Sequence, residues 1–395
     1  MLKDKKILLG ITGSVAAYKA IDLIKLFRNK GAFVEVIMTD ASARFISPMS
    51  ISVASGSRVH TDMFEEHLAH INLPFASDLF IIAPATANTI SKCANGIADD
   101  LLSSALLAYD RKALFAPAMN WRMYENPGFQ RNLDYLASLG HCFVGPEKGS
   151  LACGEQGIGR MSPVEHIADA AAACMSRQDL SGHKVLVTAG PTREYIDPVR
   201  YITNRSSGKM GFAVARAARR RGASVTLIKG PCSIEPPYGV KVVDVDSAAD
   251  MHKEVMQRLS SSTILIMSAA VADFTPYAMQ DKKIEKTETI TLNLVRTVDI
   301  IADAAASDKR PFIIGFSAET GSSTDRAVKK LKVKNMDMIV FNDVSRSDIG
   351  FDCDMNEVVI IDKKGSTSLP LLSKDDTAEA ILDRAVELKK LSDKE

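Results

Sequence analysis

The segment VTAGPTREYIDPVRYITNRSSGKMGFAVA, residues 187–215, joins an apolar strand to a helix through a long loop. Gly190 and the proline after it break the strand, and apolar side chains recur at helical spacing from Met210 to Ala218. Residues 204–208, NRSSG, place an amide, a guanidinium and two hydroxyls just before the helix begins. Free backbone N–H groups and the positive end of the helix dipole favour an anion there. The spacing fits neither G-x-G-x-x-G nor G-x-x-x-x-G-K-[ST], so an ordinary nucleotide fingerprint is absent.

Apolar runs alternate with helical patterns along the whole chain. The first series contains KILLGITGS, FVEVIMT, LFIIAPAT and KALFAPAMN, with helical patterns over 15–29 and 97–108. The alternation restarts with KVLVTAG, SVTLIKG, TILIMSAA, FIIGFSAE and MIVFND, and an amphipathic helical pattern closes the chain. Near-continuous apolar strands separated by helices indicate parallel sheets covered on both faces. The sequence therefore predicts an α/β protein with two doubly wound, open parallel-sheet domains, divided at the polar stretch 176–184.

Composition excludes several classes of protein. The 395 residues carry a net charge of +1 and a charged fraction of 25%, which gives no support for a nucleic-acid partner. Six cysteines are scattered without C-x-x-C pairs or partnered histidines, so we expect neither a zinc site nor a disulfide framework. No apolar run is long enough for a signal-peptide core or a membrane span. We expect a cytoplasmic protein that acts on small molecules.

Ligands of such sheets bind beyond the carboxyl ends of the strands, so the loops there supply the first candidates. In the first domain, Gly13 and Ser14 follow the first strand, Thr39 follows the second, and Thr86 and Asn88 follow LFIIAPA. These groups suit the phosphate, ribityl chain or ring edge of a flavin. The glycine pattern alone is equally typical of a tight turn.

Three further segments of the first domain carry reactive side chains. His70 lies in AHINLPFASD, Asn120 and Met119 lie in PAMNWRMYENP, and Cys153 lies in LACGEQGIGRM, which has enough glycine for a mobile flap. Each has a plain structural alternative. A lone histidine is more often packed or capping, the methionines fill cores, and a single thiol is often incidental.

Together these segments resemble a known family, the bifunctional phosphopantothenoylcysteine decarboxylase/phosphopantothenate–cysteine ligases of coenzyme A biosynthesis. The first domain carries GITGSVAAYK, MTDAS, APATAN, P-x-M-N-x-x-M and A-C-G-E-x-G-x-G-R-M, and the second carries TAGPTRE, DPVRYITNRSSGKMG, SAAVADF, GFSAET and FNDVS. The resemblance covers residues 6–342. It implies a flavodoxin-like decarboxylase domain over residues 1–178, which binds FMN, and a Rossmann-like ligase domain over residues 179–395.

In the first domain the resemblance implies roles for individual residues. The FMN-binding set would be Gly13, Ser14, Thr39, Thr86, Asn88 and Met119. His70 would act as acid/base or charge partner, Asn120 would bind the substrate carboxylate, and Cys153 would return a proton, with Glu155 helping to hold the flap. The chemistry requires an electron sink, because loss of CO2 from a cysteinyl amide otherwise leaves an unstabilised carbanion.

In the second domain the resemblance implies ligation through an acyl-cytidylate with CTP and Mg²⁺. Asn204 would position the intermediate, Lys283 would be needed for its conversion to the amide, and Arg200 would contribute to substrate binding. The implied CTP contacts are Met267, Ser268, Ala269, Asp273, Lys283, Val298, Asp299, Ile300, Ile301, Phe316, Lys330 and Lys334. Val298 stands where many relatives have proline, so the choice of nucleotide base is open between CTP and ATP.

Two other functions stay open from the sequence. A nicotinamide-dependent oxidoreductase with tandem Rossmann domains would need a dinucleotide fingerprint, which is absent. A regulatory flavin-binding subunit would be expected to lack the histidine or the cysteine flap, and both are present. The resemblance also implies a homo-oligomer, with trimeric flavin domains and dimeric ligase domains that could combine into a dodecamer.

Overall fold

The chain forms two compact units, residues 1–176 and 177–395, so the division falls two residues before the predicted boundary. The computed structural model describes residues 2–65, 67–150, 154–321, 323–345 and 353–392. Each unit contains an open sheet with helices on both faces, and the predicted fold class is confirmed. Within the described residues, no helix combines the length and the apolar character needed to cross a membrane.

Unit 1 is built on six parallel strands. The strands are β1 (Lys6–Ile11), β2 (Phe33–Met38), β3 (Val59–His60), β4 (Leu79–Ala85), β5 (Leu114–Pro117) and β6 (Cys142–Phe143), followed by the antiparallel pair β7 (Glu147–Ser150) and β8 (Gln156–Arg160). The helices are α1 (Ala20–Asn29), α2 (Asp40–Ala43), α3 (Pro48–Ser55), α4 (Ala69–Ala76), α5 (Ala87–Ala94), α6 (Leu101–Ala108), α7 (Trp121–Tyr124), α8 (Pro127–Ser138) and α9 (Val164–Met175), with a 3-10 turn over Val15–Lys19. The sheet order is β3-β2-β1-β4-β5-β6, so the chain changes direction between β1 and β4. A ligand crevice opens at such a point.

Unit 2 repeats this order on a larger sheet. Its strands are β9 (Lys184–Ala189), β10 (Arg193–Tyr195), β11 (Tyr201–Thr203), β12 (Ser224–Lys229), β13 (Lys241–Asp244), β14 (Ile264–Met267), β15 (Phe274–Pro276), β16 (Leu294–Arg296), β17 (Phe312–Glu319), β18 (Met338–Asp343), β19 (Met355–Asn356), β20 (Val358–Asp362), β21 (Gly365–Ser368) and β22 (Leu372–Ser373). Its helices are α10 (Lys209–Arg220), α11 (Ala248–Leu259), α12 (Ile300–Ala305), α13 (Asp325–Val333) and α14 (Lys374–Ser392). The sheet order is β13-β12-β9-β14-β17-β18-β20-β21, in which β20 and β21 pair antiparallel. The switch point therefore lies between β9 and β14.

The strands β4 and β9 show why the sheets are covered on both sides. Every residue of β4 is buried. In β9, Val185 and Val187 pack with α10 and α14, whereas Leu186 packs with α11, α12 and α13 on the opposite face. Alternate side chains of a strand point to opposite faces, so an apolar side chain is needed at every position.

Two helices begin later than their sequence patterns predict. The pattern over 15–29 divides into the 3-10 turn and α1, and the pattern over 97–108 yields a helix only from Leu101. The side chains of Asp100 and Ser103 form a capping box there, with Ser103 N donating to Asp100 Oδ1 at 2.7 Å. This cap fixes the start of α6 more strongly than the apolar periodicity that precedes it.

A buried guanidinium joins the beginning and the end of unit 2. The Arg221 side chain is 1% exposed and donates to both carboxylate oxygens of Asp179, at 2.8 and 2.6 Å. It also donates to Asp383 of α14 at 2.8 Å and lies 3.6 Å from Glu379. Arg177 also pairs with Asp383, but removal of the buried Arg221 cation leaves the negative charge of this cluster only partly compensated.

We expect Arg221→Ala to lower the free energy of unfolding of unit 2 by about 3 kcal/mol, since one partner of a buried ion-pair network is lost. The matched control is Arg326→Ala, whose exposed pair with Glu319 is worth about 0–1 kcal/mol. Urea unfolding of both variants measures the difference. Equal losses would contradict the assignment of Arg221 as the buried anchor.

Candidate functional site

Four predicted residues of unit 1 begin helical turns at the carboxyl ends of the central strands. Ser14, Thr39, Thr86 and Asn120 follow β1, β2, β4 and β5, and each side chain accepts a hydrogen bond from a backbone N–H two or three residues on. The backbone N–H groups of the first helical turns therefore gather at the same edge of the sheet. This arrangement suits a polar or anionic ligand in the crevice.

The buried hydroxyl of Thr12 ties two of these loops together. Thr12 Oγ1 donates to the Pro84 carbonyl at 2.7 Å and accepts from the Thr86 N–H at 3.0 Å. Gly13 packs closely against Ala41, which lies in α2 after the second strand. Asn88 lies exposed in the first turn of α5. The predicted flavin-binding residues thus lie on adjoining loops around the switch point.

The β7–β8 hairpin is fastened to the loop after β5. Met119 N donates to the Gly159 carbonyl at 3.0 Å, and Glu155 accepts from Trp121 Nε1 at 2.8 Å. A Cβ at Gly159 would lie 2.1 Å from the Met119 carbonyl oxygen, so only glycine permits this approach. The predicted flap, residues 151–161, includes β8 of this pair. Cys153, the predicted proton donor, lies outside the described residues.

His70 lies in the first turn of α4, and its Nδ1 atom is buried without a hydrogen-bond partner among the described residues. Because α4 directly precedes β4 and runs opposite to it, the first turn of α4 lies toward the edge of the sheet at which the parallel strands end. The same helix carries two exposed apolar side chains, Ile71 and Phe75, and two more, Phe64 and Leu68, precede it. Helical spacing alone does not distinguish such side chains from a core-facing stripe.

In unit 2 a cavity of about 790 Å³ lies at the switch point between β9 and β14 and extends past β17. It gathers most of the residues predicted for the nucleotide and the intermediate. They are Asn204, Met267, Ser268, Ala269, Asp273, Val298, Asp299, Ile300, Ile301, Phe316, Lys330 and Lys334. One cavity therefore brings together loops that are more than 100 residues apart in the chain.

The N-terminus of α10 forms one wall of this cavity. Gly208, at φ +78°, is the N-cap and brings no side chain that could cap the first turn. Asn204 Nδ2 donates to the Val271 carbonyl at 3.0 Å and so links this loop to the loop after β14. The predicted anion-binding loop lies where a phosphate would meet the helix N-terminus.

Carboxylates hold two of the lysines that line the cavity, Lys330 and Lys334. Lys334 Nζ lies 2.8 Å from Asp299 Oδ2, and Lys330 Nζ lies 2.6 Å from Glu319 Oε1. Burial opposes the ionisation of Asp299, but the hydrogen bond from Lys334 and the N–H groups at the start of α12 outweigh it and hold its pKa below the usual value. For Glu319, the hydrogen bond from Lys330 is the main cause of a lowered pKa.

Two predicted residues do not line the cavity. Arg200 forms a bidentate pair with the buried Asp197, at 2.9 and 2.6 Å, and also donates to the Ile284 carbonyl. The Ile284 N–H donates to Asp197 at 3.1 Å, so this pair anchors the exposed loop that carries Lys283. Burial disfavours the charge on Asp197, but the N–H donors of Val199, Ile284 and Arg200, together with the Arg200 guanidinium, keep its pKa below the usual value.

Two family models match the chain. Residues 1–176 match the model described as Flavoprotein, and residues 180–388 match the model described as DNA/pantothenate metabolism flavoprotein C-terminal domain. The chain is 44% identical over 400 residues to the coenzyme A biosynthesis bifunctional protein CoaBC of Bacillus subtilis, covering 99% of this chain and 98% of the relative. The chain belongs to the CoaBC family.

A second relative and one solved structure are also similar to this chain. The CoaBC protein of Escherichia coli is 43% identical over 395 residues, covering 98% of this chain and 97% of the relative. A crystal structure of the C-terminal domain of a coenzyme A biosynthesis bifunctional protein CoaBC is 40% identical, covers 54% of this chain and 98% of that chain, and has a TM-score of 0.47. The resemblance inferred from the sequence is confirmed at the level of the CoaBC family.

Sequence reasoning missed several residues of this CoaBC chain that shape the sites. In unit 2, Thr188 accepts from the Ala269 N–H at 3.2 Å, and Asp197 anchors the Lys283 loop. Both lie in segments that carry the family resemblance, TAGPTRE and DPVRYITNRSSGKMG, but neither residue was given a role of its own. Three more residues, Asn342, Asn356 and Lys374, line the cavity without having been predicted.

We expect Lys334→Met to raise the pKa of Asp299, because burial then opposes its charge without the nearby ammonium group. A depressed carboxyl pKa stabilises the folded state above the unfolded pKa, and this stabilisation is lost as pH falls through the folded value. Wild-type stability should therefore depend more steeply on pH in the acid range than that of the variant. Carbon-13 NMR titration of the Asp299 carboxylate measures the shift, and Lys332→Met, an exposed change near Lys334, should leave it unaltered.

Proposed function

We propose that the chain catalyses two consecutive steps of coenzyme A biosynthesis. Unit 2 joins 4'-phosphopantothenate to cysteine at the expense of CTP, and unit 1 decarboxylates the product to 4'-phosphopantetheine. Membership of the CoaBC family supports the pairing of activities. The observation that carries the proposal is the unit 2 cavity, which collects every predicted nucleotide contact except Lys283.

The ligase reaction begins with the carboxylate of 4'-phosphopantothenate attacking the α-phosphorus of CTP. Pyrophosphate leaves, and an acyl-cytidylate forms. The amine of cysteine then attacks the acyl carbon and expels CMP, giving the amide. The N–H groups at the start of α10, with Lys330 and Lys334, would stabilise the phosphates as negative charge builds on the departing oxygen.

Asn204 and Lys283 have distinct tasks in this scheme. Asn204 is fixed by its bond to the Val271 carbonyl beside the α10 terminus, where it would hold the acyl-cytidylate. Lys283 lies on the exposed loop that Asp197 and Arg200 anchor, and would reach the intermediate when this loop covers the cavity. The described residues contain no group of three or more His, Cys, Asp or Glu suited to a metal, so Mg²⁺ would enter bound to the CTP phosphates.

The crevice of unit 1 fits FMN by the character of its donors. Ser14, Thr39 and Thr86 provide hydroxyls next to helical N–H groups for the phosphate and ribityl chain, with Gly13, Asn88 and Met119 beside them. When bound, the flavin supplies reversible two-electron chemistry and so the electron sink that decarboxylation needs. The reaction takes the cysteinyl amide to CO2 and 4'-phosphopantetheine without net oxidation.

The protein's own residues would position the substrate and move protons. Asn120 Oδ1 accepts from the Arg122 N–H at 2.9 Å, so the Nδ2 group is the donor with which Asn120 would bind the carboxylate. His70 Nδ1, buried and without a partner among the described residues, would exchange a proton with the substrate. Cys153 would return the proton that completes the product, on the flap that Glu155 and Gly159 fasten.

The exposed apolar surfaces support a homo-oligomer with separate contacts in each unit. In unit 1, Phe75 on α4 is 84% exposed and Phe64, which precedes this helix, is 90% exposed, and His70 lies on α4. In unit 2 the β15–β16 hairpin exposes Phe274, Leu294 and Val295. Trimers through unit 1 and dimers through unit 2 would combine into a dodecamer.

We expect native mass spectrometry to detect a dodecamer for the wild-type chain. Phe75→Asp should break the unit 1 contact and leave dimers, because burial of a charge at an apolar contact is strongly unfavourable. Leu139→Asp, at another exposed apolar side chain of unit 1, serves as the control and should retain the full assembly. A monomeric wild-type chain would contradict the proposed assembly.

The function itself is tested by mass spectrometry of the products formed from 4'-phosphopantothenate, cysteine, Mg²⁺ and either CTP or ATP. We expect 4'-phosphopantetheine with CTP. Cys153→Ser should still form the amide but not complete its decarboxylation. Lys283→Gln should accumulate the acyl-cytidylate, whereas the neighbouring exposed control Lys282→Gln should turn over normally. Absence of any product with either nucleotide would contradict the ligase assignment of unit 2. Accumulation of the amide without decarboxylation in the wild type would contradict the decarboxylase assignment of unit 1.

A further inference from the structure

Two cysteines lie at the edge of the unit 1 sheet where the parallel strands begin. Cys142 is the first residue of β6, which ends the strand order and so has a neighbour on one side only. Cys174 lies in the last turn of α9, and this helix packs against β4, β5 and β6. The flavin crevice is at the opposite edge, where the strands end, so neither cysteine takes part in the proposed decarboxylation.

The register of β6 turns the side chain of Cys142 toward α9. The next residue, Phe143, stacks on Phe115 with ring centroids 5.3 Å apart and packs with the core that includes α6 and α8. Alternate side chains of a strand point to opposite faces, so Cys142 points away from that core. Its thiol makes a hydrogen bond with the thiol of Cys174. The fold therefore brings two sulfur atoms together from segments that no sequence motif links.

Both thiols are free and half-buried, so a small molecule can reach them. The hydrogen bond with Cys174 holds the pKa of the Cys142 thiol below its usual value, although burial opposes this effect, and the nearby Lys112 ammonium lowers the pKa further. The same hydrogen bond and burial raise the pKa of Cys174. Because the thiolate is the nucleophile in thiol chemistry, Cys142 is the attacking sulfur of the pair and Cys174 the second one.

Two other half-buried cysteines provide a contrast. Burial raises the pKa of Cys93 to about 11, and burial is also the main cause of a raised pKa at Cys232. Thiols in such surroundings hold little thiolate at neutral pH and react slowly. Reactivity toward an oxidant should therefore be concentrated at Cys142.

We propose that Cys142 and Cys174 are a site of reversible thiol oxidation, at which a low-molecular-weight disulfide converts the pair into an intramolecular disulfide. The Cys142 thiolate attacks one sulfur of the small disulfide, forms a mixed disulfide and releases one small thiolate. The Cys174 sulfur then attacks Cys142 Sγ, which breaks the mixed disulfide and releases the second small thiolate. The protein loses two electrons, the small disulfide is reduced to two thiols, and the protons of both protein thiols pass through solvent to them.

The new bond joins the last strand of the unit 1 sheet to the last helix of the unit. A disulfide needs its sulfur atoms about 2.05 Å apart, so the two atoms must approach along the contact that they already make. Disulfides formed in otherwise reduced proteins are usually transient and redox-sensing. The inference does not depend on the proposed function, because it uses no substrate and no residue of either candidate site.

The test is peptide mapping by mass spectrometry of the full-length chain after incubation with glutathione disulfide, acid quenching and alkylation of the remaining thiols. We expect a peptide pair that links Cys142 to Cys174 and that disappears after treatment with dithiothreitol. Cys174→Ser should stop at the first step and retain glutathione on Cys142. Cys142→Ser should take up glutathione at Cys174 at least about threefold more slowly, because a higher pKa leaves less thiolate.

The matched control is Cys232→Ser, which removes a half-buried thiol of unit 2 and should form the Cys142–Cys174 link as the wild type does. Wild-type protein unfolded in urea should lose the preference for this link, because the fold brings the two sulfurs together. A folded wild-type chain without the linked peptide would overturn the proposal, even if a cysteine variant does not fold. Equally fast modification of Cys93, Cys232 and Cys142 would overturn it as well.

Discussion

A threonine hydroxyl bridges the two central strands of each sheet where the chain changes direction. Thr12 bonds the end of β4 at Pro84 and the following residue Thr86, and Thr188 bonds the loop after β14 at Ala269. A hydroxyl both donates and accepts, so one small side chain can satisfy buried backbone groups of a neighbouring loop. The loops that carry the helical N-termini keep their separation because these bonds hold them. Both candidate sites depend on that separation.

Carboxylates hold three of the lysines that line the unit 2 cavity. Lys330, Lys334 and Lys209 each lie within 2.8 Å of a carboxylate oxygen. Pairs of this kind, with partly exposed side chains, are worth about 0–1 kcal/mol. A phosphate with two negative charges can therefore displace them at small cost, and the lysines remain ordered before it arrives.

The sequence was sufficient to predict the elements that depend on patterns of neighbouring residues. Apolar strands such as LFIIAPA and KVLVTA were enough to predict both sheets. The polar residues Ser14, Thr39, Thr86 and Asn120, close after their strands, were also evident from the sequence, and the structure shows that they are N-caps. The CoaBC resemblance added the residues of the unit 2 cavity. The position of the cavity wall formed by Asn356 and Lys374 could not be predicted, because it depends on a two-residue antiparallel pairing that joins segments 16 residues apart and leaves no periodicity. Asp197 was missed because its role is to accept hydrogen bonds from the backbone N–H groups of Val199 and Ile284. No residue pattern reveals these contacts.

The Arg221 cluster has a consequence for the architecture of the gene product. Asp179 lies at the beginning of unit 2 and Asp383 near its end, and one guanidinium holds both. The beginning of unit 2 is therefore adjacent in space to α14, the last helix that the structure describes in it. One cation holds the first and last described parts of this fold together. The unit thus closes on itself as a module that evolution could join to a flavin-binding partner, or separate from it, at its beginning.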